Sequence, residues 1–235
     1  MQFSWDEQTI RWFVDASAYT GFHKALAQRI IPYLEQDYTL CDAGCGIGRL
    51  DLELAPYVRE LTAVDLSDNA ISALRQDALA LGLNNIRAEV RDVESLTESY
   101  DAVLLSFFGQ DSMFDLLKHC RRKLIRIVDA DDRARLYPER HQRHIRDTVA
   151  VVSKQLEEKS ISFELELVEL EFGQPLRSWQ DAEKFVLSNA PESPSEEVHE
   201  FLKKRIVETG RDDFPFYMPK KKGFGIFVMD KEKQR

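Results

Sequence analysis

Short apolar runs alternate with segments of helical periodicity from Tyr38 onward, and this alternation restricts the fold more than any other feature. The apolar runs occupy residues 38–43, 61–65, 86–90, 101–105 and 124–128. Between them lie helical segments, the clearest of which has apolar residues at Ile71, Leu74, Ala78 and Leu81. Strands that alternate with helices form a parallel sheet whose two faces are both covered. The sequence therefore predicts a doubly wound α/β fold.

The segments around this core are predicted to be helical with one further strand. Residues 6–36 have helical periodicity with a break at Thr20-Gly21. A long helix is predicted over 138–159, with its first turn at Pro138. The apolar residues expected on its buried face are Ile145, Val149, Val152 and Leu156. A strand over 161–172 follows, and its alternation changes phase after Leu167, which predicts a β-bulge or a bend.

The chain is predicted to be a single domain of three parts. Helices fill residues 1–36, the core occupies 38–130, and about fifty residues separate the strand ending near residue 172 from a last strand at 224–229. Those residues contain helical stretches near 179–188 and 194–208. Because so long a connection exceeds a hairpin loop, residues 173–222 are predicted to form a helical cap over a site.

Charge and composition restrict the classes of function. The net charge of −9 over 235 residues disfavours nucleic acid as a partner, because phosphate binding requires a basic face. No stretch approaches the ~20 apolar residues of a membrane span, and the N-terminus lacks the basic start and apolar run of a signal peptide. Three cysteines are too few for a disulfide framework. We therefore expect a cytoplasmic protein without a membrane segment.

The chemistry is concentrated in a glycine-rich loop after the first predicted strand. Its sequence is Asp42-Ala43-Gly44-Cys45-Gly46-Ile47-Gly48. A nicotinamide fingerprint would read Gly-x-Gly-x-x-Gly, but here the third glycine comes one residue early. The carboxylate before the first glycine suits a positively charged ligand group, such as an amino acid's ammonium, better than a pyrophosphate.

These residues resemble the class I S-adenosylmethionine-dependent methyltransferases. The first motif of that family reads acid-x-Gly-x-Gly-x-Gly, which Asp42 and the three glycines at 44, 46 and 48 match. The resemblance implies a seven-stranded, mostly parallel, Rossmann-like sheet and S-adenosylmethionine as the cofactor. It also implies a set of cofactor-binding positions: Tyr19, Asp42, Gly44, Cys45, Gly46, Gly48, Asp65, Leu66, Asp92, Val93 and Ser106.

Four of those positions lie at the ends of the second, third and fourth predicted strands, in the order that the family has them. The resemblance assigns the ribose hydroxyls to Asp65, at the end of the second strand, and the adenine to Asp92 with Val93 against the ring. The fourth strand enters the site and ends at Ser106. Two departures are present: residues 119–124 lack the family's glycine turn, and residues 107–110 are not the Asn/Asp-Pro-Pro-Tyr/Phe signature of enzymes that methylate amino groups of bases.

Each of these residues also has a purely structural interpretation. Asp65 can act as an acid at a helix N-terminus, although Ser67 or Asp68 already serves there as a cap. Asp92 can begin a turn. Tyr19 can cover the cofactor, as in similar small-molecule enzymes, or simply pack between helices.

Several residues outside the motifs have two interpretations. His23 is interpreted as a satisfied helix histidine. Trp5, Trp12 and Phe13 are interpreted as an apolar helix face that can also form the wall of a substrate pocket.

His141 and His144 are the candidates for a catalytic base. They follow the fifth strand, and in open α/β sheets the crevice lies beyond the carboxyl ends of the strands. Histidine titrates near neutral pH, which suits a general base. The alternative is a pair of surface histidines. A metal site is not predicted, because the pair has no third ligand.

The sequence thus predicts a methyltransferase that acts on a small-molecule acceptor by in-line transfer. The acidic charge and the predicted cap favour this interpretation. Three alternatives stay open: a protein or RNA methyltransferase, a regulatory module that binds the cofactor without catalysis, and, as the most distant, a nicotinamide-dependent oxidoreductase.

Overall fold

A seven-stranded sheet organises the protein, as the sequence predicts. The computed structural model describes residues 5–108, 112–130, 136–138 and 147–234. The strand order is β3-β2-β1-β4-β5-β10-β6. The first five strands are parallel, and β10 runs antiparallel to both β5 and β6. The strands of this sheet are β1 (Thr39–Ala43), β2 (Glu60–Asp65), β3 (Ile86–Val90), β4 (Tyr100–Ser106), β5 (Cys120–Asp129), β6 (Glu164–Glu171) and β10 (Lys221–Asp230).

Helices cover both faces of the sheet. The helices are α1 (Glu7–Thr20), α2 (Phe22–Ile30), α3 (Arg49–Leu54), α4 (Asp68–Ala80), α5 (Ser112–Leu116), α6 (Val149–Glu158), α7 (Trp179–Asn189) and α8 (Ser195–Arg205). Neighbouring residues of β1 point to opposite faces: Leu40 packs in a core with α2, α3 and α4, whereas Cys41 packs in a core with α5 and α6. Burial on both faces explains why the strand sequences are nearly continuous apolar runs.

Local capping residues define the helix boundaries near the N-terminal end of the core. The predicted break at Thr20-Gly21 is confirmed, because the Gly21 N–H bonds to the Ser17 carbonyl and closes α1. Ser67 caps α4 through a 3.3 Å bond from the Ala70 N–H to its hydroxyl. No helix in the described ranges is long and apolar enough to cross a bilayer.

The prediction of one continuous helix over 138–159 is wrong at the described residues 138, 147 and 148, none of which is helical. Pro138 is not in a helix, and α6 begins only at Val149. Thr148 is extended and pairs with Asp129 at the end of β5, so the chain prolongs the sheet before the helix starts. Ile145 lies outside the described residues. Val152 and Leu156 are fully buried, as predicted.

The predicted bulge after Leu167 is also wrong. β6 pairs with β10 in unbroken register, with Leu167 opposite Gly225 and Val168 opposite Phe224. The apparent change of phase arises because other parts of the protein cover one face of this edge strand along its first half and the opposite face along its second half. Val168 packs in the core on one face, whereas Leu167 on the other face is 68% exposed.

The segment 173–222 is not purely helical. It contains α7 and α8 close to the predicted positions, and also a small antiparallel sheet of β7 (Gln174–Leu176), β8 (Val207–Glu208) and β9 (Phe216–Met218). Strands of two or three residues are too short to show a period of two, so no pattern in the sequence indicated them. The segment packs on α1, where the rings of Trp12 and Phe185 lie 5.3 Å apart.

Candidate functional site

A cavity of about 360 Å³ opens where β1, β2 and β4 reach their carboxyl ends. Because parallel strands end together, the loops after them meet at this edge of the sheet. The cavity is lined by Trp5, Phe13, Phe22, His23, Asp42, Gly44, Cys45, Gly46, Ile47, Arg49, Leu50, Asp65, Leu66, Asp92, Val93, Ser106, Phe107, Phe108, Phe172 and Lys222. Its two ends differ in chemistry: glycine backbone and carboxylates line one end, and aromatic rings line the other.

The glycine loop after β1 forms the floor of one end. Gly44 and Gly46 adopt φ angles of 77° and 55°, which L side chains rarely take. A Cβ at Gly44 would lie 2.2 Å from the Phe108 ring, and one at Gly46 would lie 2.7 Å from the Trp5 ring. The N–H groups of Gly44 and Cys45 bond to the Val64 carbonyl at 2.8 and 3.0 Å. The loop is therefore fixed against β2, and the Phe108 and Trp5 rings pack closely over its glycines where a side chain would not fit.

Asp65 joins this loop to the start of α4. Its carboxylate accepts from the Gly46 N–H at 2.9 Å and from the Ser67 N–H at 2.8 Å. Each carboxylate oxygen has a second lone pair, so the group can still accept from two hydroxyls of a ligand. Since Ser67 itself caps α4, Asp65 is not needed as the cap.

Asp92 and Val93 form the wall beyond β3. Asp92 accepts from the Glu94 N–H at 2.9 Å, which orients one oxygen and leaves the carboxylate at the cavity edge. Val93 is buried beside it, and Leu66, which is 56% exposed, lies at the rim of the cavity. Ser106 closes this wall at the end of β4.

Two buried carboxylates lie beneath the glycine loop. Asp42 is 2% exposed and Asp51 is fully buried. One oxygen of Asp42 and both oxygens of Asp51 have no hydrogen-bond partner among the described residues. Burial raises the pKa of Asp42, and the Asp51 carboxyl raises it further. Burial likewise raises the pKa of Asp51 to about 7. Such a pair is expected to hold one proton between its two carboxyls.

The other end of the cavity is a cluster of rings that we call the aromatic chamber: Phe13, Phe22, His23, Phe107 and Phe172. His23 lies 5.2 Å from Phe13, 5.0 Å from Phe22 and 5.6 Å from Phe172 between ring centroids. Phe22 contacts Phe172 at 4.4 Å. Phe107 has a φ of 54°, uncommon for this residue, and this conformation turns the chain after β4 toward the chamber.

Cationic side chains border the aromatic chamber. The Lys222 ammonium lies 3.5 Å from the centroid of the Phe107 ring and 3.3 Å from an Asp129 oxygen. Arg49 lines the cavity and is paired with Asp77 at 2.9 Å. Burial, followed by the charges of Arg49 and Lys222, lowers the pKa of His23 to about 3. His23 is therefore neutral, and its Nδ1 lies 2.7 Å from the Ser17 hydroxyl.

The structure brings most of the predicted cofactor-binding positions into this one cavity. Those that line it are Asp42, Gly44, Cys45, Gly46, Asp65, Leu66, Asp92, Val93 and Ser106. Gly48 does not line it: a Cβ there would meet the Leu74 side chain, so this glycine lets α3 and α4 pack closely.

Tyr19 is also outside the cavity. Its ring stacks on Tyr217 at 4.8 Å and lies beneath Arg211, because the end of α1 faces the inserted segment. Trp5 and Phe13 line the cavity instead. His141 and His144, the predicted catalytic residues, lie outside the described residues.

Sequence reasoning named Phe13 as a possible pocket wall but missed three of the five rings of the aromatic chamber, Phe22, Phe107 and Phe172. Phe22, Phe107, Phe172 and Lys222 come from four distant segments, and only the tertiary fold assembles them. His23 was interpreted as a satisfied helix histidine, and its bond to Ser17 agrees with that, yet it also borders the cavity. Asp51 could have been recognised from its position, because it is a charged residue among the leucines of α3 that are buried.

Comparisons with known proteins agree with this geometry. Residues 40–126 match the family described as a methyltransferase domain. Over 68 residues, 28% of this chain, the sequence is 41% identical to the chloroplastic magnesium protoporphyrin IX methyltransferase of Arabidopsis thaliana. The match spans about a fifth of the length of that relative, 22%.

Solved structures share the fold at low sequence identity. The YcgJ protein of Bacillus subtilis has a TM-score of 0.55 at 14% identity, over 88% of this chain and 98% of that one. The magnesium protoporphyrin IX methyltransferase of Synechocystis PCC 6803, crystallised with bound SAH, has a TM-score of 0.50 at 14% identity, over 87% of this chain and 82% of that one.

Proposed function

We propose that this protein, whose residues 40–126 form a class I methyltransferase domain, binds S-adenosylmethionine in the cavity and methylates a small-molecule acceptor held in the aromatic chamber. One observation carries the proposal. A single cavity joins an end with glycine backbone and carboxylates to an enclosed end with aromatic walls. A cationic cofactor and an apolar acceptor would thereby lie next to each other.

The residues at the glycine end fit the proposed cofactor. The Asp42 carboxyl group borders the cavity and suits the ammonium of the methionine part. Gly44 and Gly46 leave backbone bare where any Cβ would clash. Asp65 retains lone pairs for the two ribose hydroxyls, and Asp92 with Val93 forms a polar and apolar pair suited to the adenine edge and face.

The role of the protein in such a reaction is positioning. The sulfonium cofactor supplies an electrophilic methyl group. Asp42 and Asp65 would hold the methionine and ribose parts of the cofactor, while the rings of the aromatic chamber exclude water and orient the acceptor. Phe108 lies over Gly44, where a Cβ would fall within 2.5 Å of three of its ring atoms, so it restricts the space at the junction between the two ends.

A small-molecule acceptor is favoured because the chamber is enclosed. His23 is 8% exposed and Phe22 is 2% exposed, so the surface of a protein or an RNA could not reach them. The relative in Arabidopsis thaliana is a magnesium protoporphyrin IX methyltransferase, which by its name acts on a small molecule. Both considerations support a small acceptor over a protein or an RNA.

The proposal is tested by calorimetric titration with S-adenosylmethionine, S-adenosylhomocysteine and NAD. We expect the first two to bind and NAD not to bind. Asp65→Ala removes the acceptor of the ribose hydroxyls and should weaken both cofactor forms by about 1–3 kcal/mol, or roughly tenfold or more.

Asp68→Ala is the matched control for this variant. Asp68 is exposed in the first turn of α4, three residues from Asp65, and does not line the cavity. Its replacement should leave the affinity unchanged. Tight cofactor binding without methyl transfer to any acceptor would instead favour a regulatory module, and equal binding of NAD would contradict the proposal.

A further inference from the structure

The cavity is electrostatically polarised along its length. Three carboxylates, Asp42, Asp65 and Asp92, line the end with the glycine loop. Around the aromatic chamber the charges are of opposite sign. The Lys222 ammonium lies 3.5 Å from the centroid of the Phe107 ring, and Arg49 lines the same cavity. Both charges also lower the pKa of His23.

The cations are held in place by partners outside the cavity. Arg49 pairs with Asp77 on α4, with exposed side-chain fractions of 21% and 40%. Lys222 pairs with Asp129, with fractions of 14% and 18%. Lys222 is thus largely withdrawn from water while its ammonium lies against the Phe107 ring. A charge held in an apolar wall acts more strongly on a ligand than one in water.

We infer that the acceptor is a flat, apolar molecule with an ionised oxygen, either a carboxylate or a phenolate, that faces Lys222 and Arg49 while its body packs on Phe22 and Phe172. This inference rests on the proposed function and names the substrate class of the same site. The rings of Phe22 and Phe172 lie 4.4 Å apart at an interplanar angle of 32°, and together with Phe13 they form a wall against which a flat body can pack.

An acceptor with an ionised oxygen requires no base from the protein. His23 is the histidine there, and its pKa of about 3 makes it a poor proton acceptor at neutral pH. An acceptor that arrives as an anion has no proton to lose. Its oxygen forms the new bond to the methyl carbon, the carbon–sulfur bond breaks with its electron pair on sulfur, and the charges of nucleophile and sulfonium cancel.

The other acceptor classes fit less well. A cationic ammonium would be repelled by Lys222 and Arg49 and would first have to lose a proton. A neutral alcohol would require a base of higher pKa than that of His23. An anionic acceptor is stabilised in the ground state by the two cations and by the neutral imidazole as a hydrogen-bonding group.

The test uses four probes on protein saturated with S-adenosylhomocysteine: 2-naphthoate, 4-nitrophenolate at alkaline pH, 2-naphthamide and 2-naphthylmethylammonium. We expect 2-naphthoate or 4-nitrophenolate to bind at least tenfold more tightly than 2-naphthamide, and the ammonium to bind least. Preference for one anion over the other distinguishes a carboxylate from a phenolate acceptor. Equal or tighter binding of 2-naphthamide would overturn the inference.

Lys222→Met and Lys221→Met form a matched pair of variants. Both keep the stem of the side chain, but Lys221 is 71% exposed and pairs with Glu169 on the surface. We expect Lys222→Met to lower the affinity for the preferred anion about tenfold while 2-naphthamide changes less than twofold. Lys221→Met should change neither. Equal loss of both ligands in Lys222→Met would mean a merely structural role and would contradict the inference.

Titration with S-adenosylhomocysteine distinguishes failure of the proposed function from failure of the inference about the acceptor. Unchanged affinity for S-adenosylhomocysteine in Lys222→Met shows that the variant is folded and that the cofactor end is intact. If the wild-type protein does not bind S-adenosylhomocysteine, the proposed function fails and the inference falls with it. If it binds the cofactor but prefers the neutral or cationic probe, only the inference fails.

Discussion

Replacing Asp51 by asparagine is expected to stabilise the protein at alkaline pH. Asp51 is fully buried and neither carboxyl oxygen has a hydrogen-bond partner among the described residues. An asparagine has nearly the same shape and stays neutral, and its amide can donate to the unpartnered oxygen of Asp42. The substitution therefore removes the need to bury a charge without opening a cavity.

The magnitude follows from the linkage between pKa and stability. Burial raises the pKa of Asp51 from the ordinary 3.8 to about 7. Because the unfolded chain ionises first, the free energy of unfolding falls as pH rises from about 4 to about 7, by ~1.4 kcal/mol for each pH interval of one, and is constant above that. The full loss is roughly 4 kcal/mol, and relaxation around the charge makes 2–4 kcal/mol the expected range, on the order of a buried unpaired group.

Urea denaturation at about pH 4 and about pH 8 measures the effect. We expect Asp51→Asn to raise the free energy of unfolding by about 2–4 kcal/mol at the higher pH and by less than about 1 kcal/mol at the lower. Asp212→Asn, an exposed position, is the control and should change neither value by more than about 0.5 kcal/mol. If Asp51→Asn lowers stability equally at both pH values, the reasoning about the buried pair is refuted.

Three further substitutions or titrations follow from the described contacts. Gly44→Ala places a Cβ 2.2 Å from the Phe108 ring and should lower the affinity for S-adenosylhomocysteine at least tenfold. Gly210→Ala, also at positive φ but in open space, should cost only about 1–2 kcal/mol of stability and leave the affinity unchanged. Titration calorimetry distinguishes the two variants. Arg126→Met breaks a buried ion pair with Asp147 and should lower the free energy of unfolding, measured in urea, by about 3–5 kcal/mol. Adding Asp147→Asn should recover part of this loss. An unchanged free energy of unfolding in Arg126→Met would contradict burial of the pair. The ring signals of His23 should not titrate between pH 8 and 5 in NMR spectra, because its pKa is about 3. Since this pKa is lowered, the contribution of the neutral imidazole to the free energy of unfolding is complete above pH ~6.5 and is lost as pH falls. A titration midpoint near neutral pH would contradict the neutral imidazole.

The core of the fold was predictable because each strand and helix had a strong local signal. Five buried strands read as apolar runs, and the glycine loop after β1 lay at a strand end where a ligand crevice is expected. Asp65 and Asp92 were found by the same rule, and both line the cavity. These residues depend only on their place at the end of a strand.

Features that depend on distant contacts were not predictable. Thr148 pairs with Asp129 beside the sheet and is not helical, although it lies inside the predicted helix, and α6 begins at Val149. The short strand β9 forms only because β7 and β8 flank it. The aromatic chamber likewise requires α1, α2 and the residues that follow β4 and β6 to meet, and no window of sequence contains them all.

A crystal structure of the protein with S-adenosylhomocysteine would test the central claim most directly. We expect density in the cavity, with the amine beside Asp42, the ribose hydroxyls on Asp65 and the adenine between Asp92 and Val93. The sulfur should face the aromatic chamber, where a methyl group would meet the acceptor. Density at another place on the protein, or an unliganded cavity at saturating ligand, would contradict the account.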